Sequence, residues 1–136
     1  MNALLLAAAV SQFTAPDSEF AREIVEACPR LVAADATDHE RVVLLRQWAW
    51  SHTNHARSYE QAVEWNSDVR WQMTAAPEHF ARFRNEEGGV ICGDAANGLR
   101  KVYQYFGFKA WYLGSQGGKD VSHATTLVEI AYDGWP

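Results

Sequence analysis

Cys92 lies in the stretch Gly88-Gly89-Val90-Ile91-Cys92-Gly93-Asp94, immediately before Ala95, Leu99, Val102, Tyr103 and Phe106, whose offsets mark one face of a packed helix. A cysteine at the mouth of a helix meets unpaired backbone N–H groups and the positive end of the dipole, which favour thiolate over thiol. A thiolate attacks acyl carbon, and the same N–H groups can hold the oxyanion that results. Glycines on both sides let a substrate approach the backbone closely. A cysteine nucleophile needs a base, and His123 follows in a segment rich in threonine and β-branched residues that reads as a strand. On that strand His123, Thr125, Leu127 and Glu129 share one face, with His123 at its exposed, cleft-facing end. Ala124, Thr126, Val128 and Ile130 share the other.

The elements that must position this pair follow from local signals. The helix opened by Cys92 should end at Gly107, placed as a left-handed cap. Phe108 to Leu113 reads as a strand, Ser115 to Asp120 as a turn, and Val121 to Tyr132 as a longer strand. Helix, strand, turn and strand make a compact α-β-β unit able to return His123 towards Cys92. Upstream the chain reads as helical. Pro16-Asp17-Ser18 signals a start before Phe20, Ile24, Cys28 and Leu31, with Pro29 as an interruption. Thr37 and Glu40 have capping-box spacing ahead of Val42, Leu45, Trp48 and Ala49. Ser58 and Gln61 repeat that spacing before a third helix, and Pro77 can open a short fourth one through Phe80 and Phe83. Asn85 to Gly89 reads as loop. The fold class expected is therefore α+β: one domain over 1–136, helical over 1–86, with a catalytic-type core helix and antiparallel sheet over 87–136. Asp133-Gly134 is a hairpin turn signal, so the sheet is expected to continue beyond Pro136.

The segments GGVICGDAANGLRKVYQYFGFKAWYLG and SHATTLVEIAYDGW resemble the core of the transglutaminase-like superfamily, within the papain-like cysteine enzymes, over about residues 86–135. Members show a Cys-Gly-acid helix start, a helix ending near Phe-Gly-Phe, an aromatic strand, a strand carrying His and Glu, and an Asp-Gly turn. The resemblance implies a Cys-His-Asp triad with Cys92 as nucleophile and His123 as base, no cofactor and no metal. Asp133 belongs to the turn, so the orienting acid is expected beyond Pro136; Glu129 stands two residues farther from the histidine than in many members. The implied chemistry is acyl transfer or hydrolysis of an amide or peptide bond in a peptide or protein substrate. Arylamine N-acetyltransferase-like chemistry is suggested by Gly88-Gly89 and Asn97-Gly98-Leu99, although Glu87 replaces that family's usual arginine. Peptide N-glycanase-like chemistry is suggested by Cys92-Gly93-Asp94 with Ala96-Asn97. The reading of a different class is a non-catalytic protein- or peptide-binding module that keeps the fold.

Composition bounds these choices. The chain has 136 residues, 48% hydrophobic and 21% charged, as expected of one folded domain. Twelve Lys and Arg against seventeen Asp and Glu leave a net charge of −5, which argues against a general nucleic-acid surface. No apolar run reaches the roughly 20 residues that span a bilayer. Ala3 to Val10 has the length of a secretory core but no positive flank, so it is expected as a packed helix. Cys28 is expected to pack within its helix, without a disulfide to Cys92. His52 and His55 have no acidic or thiol partner nearby in sequence and are expected at a solvated helix end. Trp48, Trp50, Trp65 and Trp71 fit either a cleft wall or a core. An unpaired sheet edge offers a route to self-association.

Overall fold

A computed structural model describes residues 13–53, 92–117 and 121–131. Helix α1 (Glu19–Ala27) starts where Ser18 turns its side chain back, Oγ accepting from the Ala21 amide at 3.0 Å. Pro29 ends the α-helical run as expected, and the chain tightens into a 3₁₀ turn over Pro29–Val32 that buries Leu31. Helix α2 (Asp38–Ser51) is capped by Thr37, whose Oγ1 accepts from the Glu40 amide at 3.1 Å. The Glu40 carboxylate goes elsewhere, forming a fork with Arg30 at 2.9 Å on both oxygens, while Arg30 also reaches Asp35 at 2.8 Å.

Helix α3 (Cys92–Tyr105) carries the expected stripe: Val102, Tyr103 and Phe106 are buried, with Ala95 and Leu99 packed against them. Gly107 (φ 87°) closes it, its amide bonding Gln104 O while that of Phe108 bonds Tyr103 O. This is the paired geometry of a Schellman cap. Strands β1 (Ala110–Gly117) and β2 (Val121–Val128) form an antiparallel pair in unbroken register from Ala110 opposite Val128 to Gly117 opposite Val121. The architecture is α+β. No described helix is long and apolar enough to cross a membrane.

The strand boundaries differ from those expected. Phe108 is consumed by the helix cap and β1 begins at Ala110. Residues 115–117, expected as turn, pair with β2, because the register carries the ladder to the end of the hairpin. β2 stops at Val128, although the Glu129 amide still reaches Lys109 O. The apolar run at Ala3–Val10, the third and fourth helices, the loop at 85–89 and the turn at Asp133-Gly134 lie outside the described residues.

α3 is the shared element, packed by the hairpin and by α2. Ile24, Leu31, Leu45 and Val102 are fully buried at the centre. Phe20 meets Trp48 and Tyr105 edge-on at 5.5 and 5.3 Å between ring centres. Tyr103 Oη donates to Val42 O, and Tyr105 Oη to Ser18 Oγ, so both ends of the helical layer are tied to α3. Burial pushes the Tyr103 phenol up.

One charged side chain belongs to this core. Arg41 is buried on α2, where its guanidinium donates to Leu31 O at 3.0 Å and Ala33 O at 3.1 Å, pairs with Asp38 at 3.1 Å, and covers the Phe13 ring at 4.5 Å. The carbonyls it serves lie at the end of the 3₁₀ turn, where Ala33 O also accepts from the Ala36 amide at 3.1 Å. Arg41→Met takes the side-chain donor from the Leu31 carbonyl, while Ala33 O keeps the Ala36 amide, and should cost about 2 kcal/mol, read as a lowered urea midpoint at unchanged slope. The exposed Arg30 cluster acts through pH. Its hydrogen bonds hold the Asp35 and Glu40 carboxyls below their ordinary values, so their contribution is complete above the ordinary carboxylate range and fades as acid protonates the folded form. Urea midpoints measured from about pH 6 down to pH 3 should therefore fall less for Arg30→Met than for the parent chain.

Candidate functional site

Cys92 is the first residue of α3, where the opening amides of the helix have no intrahelical acceptor. It is half-buried, and no disulfide joins it to Cys28. Cys28 caps the end of α1 and packs against the core, where desolvation pushes its thiol up. A thiol of raised pKa, as at half-buried Cys28, is poorly suited to attack.

The hairpin lies on α3 through one of its two faces. Thr126 Oγ1 donates to Ala96 O at 2.6 Å, and Val128, opposite the buried Ala110, packs against the core. Strand alternation therefore turns Ala110, Tyr112 and Gly114 of β1, with Ala124, Thr126 and Val128 of β2, towards the helix. His123 lies in β2 opposite Ser115 and is exposed, but its row is the one turned away from α3 and not the cleft-facing one expected. That set (His123, Thr125, Leu127) forms the outer face, on the side of the sheet away from Thr126. The structure thus places Cys92 and His123 in one α-β-β unit, with the imidazole on the outer row of the pleat.

The polar side chain that sequence reading missed at the helix mouth is Tyr112. An ideal Cβ built on Gly93 would stand 3.5 Å from Tyr112 Oη, so the phenol ends beside the residue that follows Cys92. Gly114 follows Tyr112 on the same face of β1 and leaves room for its ring. Which helix it would meet is not written locally.

Other candidates resolve into structure. Asn97 Oδ1 accepts from Arg100 at 3.0 Å (Nε) and 2.6 Å (Nη2) along α3. His52 caps α2 but is buried, contrary to the solvated end expected, because its ring stacks on Trp48 at 4.2 Å and Nδ1 lies 2.8 Å from Trp48 O. Trp48 is core, whereas Trp50 is exposed; His55, Trp65 and Trp71 lie outside the described residues. A concavity of about 340 Å³ at the Ala110–Val128 end is lined by Phe13, Arg41, Phe108, Lys109 and Glu129. Both cations there are matched, Arg41 by Asp38 and Lys109 by Glu129 at 3.1 Å. Among the described residues no group of three His, Cys, Asp or Glu could hold a metal ion. Compared with known proteins, the chain matches no family model, no curated protein and no solved structure.

Proposed function

We propose that this chain is a cysteine-dependent acyl-transfer domain of transglutaminase-like, papain-like type, acting on a carboxamide or peptide bond. The observation that carries the reading is the position of Cys92 as first residue of a 14-residue helix that packs under the hairpin bearing His123. In this mechanism Cys92 Sγ attacks the carbonyl carbon and the carbonyl electrons move to oxygen, where the Cys92 backbone N–H receives the charge. His123 takes the thiol proton and returns it to the departing amine. The acyl-enzyme then passes to water or to a second amine. His123 stands on the row of β2 turned away from the face that packs on α3, and this makes it the decisive residue to test.

The second reading, a protein- or peptide-binding module, is favoured by the outer face itself. Trp111 and Leu127 lie opposite each other, Leu113 is their neighbour, and all three are about half exposed. Iodoacetamide labelling against pH, read separately at Cys28 and Cys92 by mass spectrometry, separates the two. The acyl-transfer reading expects Cys92 to react rapidly below neutral pH and His123→Ala to slow it by roughly tenfold or more. Labelling of Cys92 like an ordinary thiol of pKa about 8.5, indifferent to His123→Ala, sinks that reading and leaves the binding module.

A further inference from the structure

Two glycines distant in sequence make room for one side chain. A Cβ at Gly114 would stand 3.3 Å from Tyr112 Cε1, 3.7 Å from its Oη and 3.8 Å from its Cζ, and one at Gly93 would stand 3.5 Å from the same Oη. The ring therefore lies along β1 over Gly114, and its hydroxyl ends at the second residue of α3. Thr126, directly opposite Tyr112 in the register, bonds Ala96 O one helical turn farther on, so helix and hairpin are locked beside the phenol. Such a seat fixes where an O–H donor sits, next to the amides at which a Cys92 thiolate or an acyl oxyanion would carry its charge. Hydrogen bonds to ionised acceptors are the strong ones, and a phenol held in place loses little freedom in making them.

We infer that Tyr112 is a positioning residue of the Cys92 site: Gly93 and Gly114 hold its hydroxyl at the mouth of α3, where it donates towards the negative charge formed there. This rests on the nucleophile reading of Cys92. The ring, nearly half exposed, also lies against Gly114 and Gly93, so a test must separate the hydroxyl from the contact of the ring.

In the full chain, Tyr112→Phe keeps the ring and removes only the donor. Its urea midpoint should match that of the parent, while Cys92 labelling by iodoacetamide at about pH 6.5 falls roughly tenfold and labelling at about pH 9.5 stays within about twofold. Gly114→Ala crowds the ring at 3.3 Å and should shift the profile in the same direction, with no further shift when combined with Tyr112→Phe. An unchanged labelling profile in Tyr112→Phe, with labelling still fast and dependent on His123, makes Tyr112 a packing residue and overturns the inference while sparing the nucleophile. Ordinary thiol behaviour of Cys92 in the parent chain removes the nucleophile reading and this inference with it. Tyr112→Phe alone decides the point should Gly114→Ala fail to fold.

Discussion

α3 has to bury two sides at once, and the rest of the described structure adapts to that constraint. Towards the helical layer it presents Val102, Tyr103 and Phe106, which join Ile24, Leu31, Leu45 and Trp48 in one apolar core. Towards the hairpin the contact is made at close backbone range, with a threonine hydroxyl bonded to a main-chain carbonyl of the helix. Small buried residues make this approach feasible: Ala96 on the helix and Ala110 on β1. A hydroxyl-to-carbonyl bond within a helix–sheet interface also selects register, since sliding β2 by one residue would turn Thr126 outward and bring His123 and Thr125 inward.

The helical layer uses charge where apolar surface is scarce. Arg41 occupies a position on α2 that faces inward, and its guanidinium closes the carbonyls left by the 3₁₀ turn while lying over Phe13. Arg30, exposed, ties Asp35 and Glu40 across the same turn. The two arginines work differently. The buried one is the side-chain donor to the Leu31 carbonyl, and the surface one adds a modest, salt-sensitive attraction.

Features that depend on neighbours along the chain are legible in the sequence. Ser18 and Thr37 as caps, the interruption at Pro29, the helix stripe after Cys92 and the left-handed Gly107 all follow from side chains acting within a few residues. Features that depend on distant partners are not. Residues 115–117 look like turn from composition and become strand because residues 121–123 pair with them. The two alternating sets on β2 follow from the pleat, but which set meets α3 depends on the Ala96 carbonyl. The candidate site divides along the same line: Cys92 at a helix start is a local fact, and Tyr112 near it is a tertiary one.

The bond from Tyr105 Oη to Ser18 Oγ joins residues 87 positions apart. Ser18 also caps α1, so the first turn of the earliest described helix is completed by the last residue of α3. Closing a loop of that span costs entropy before any contact repays it, and the repayment comes only when the whole core assembles. Order in α1 is thereby made conditional on order in α3. The helix that opens with Cys92 and the helix that begins at Glu19 belong to a single cooperative unit, so a disturbance at the start of one is felt at the end of the other.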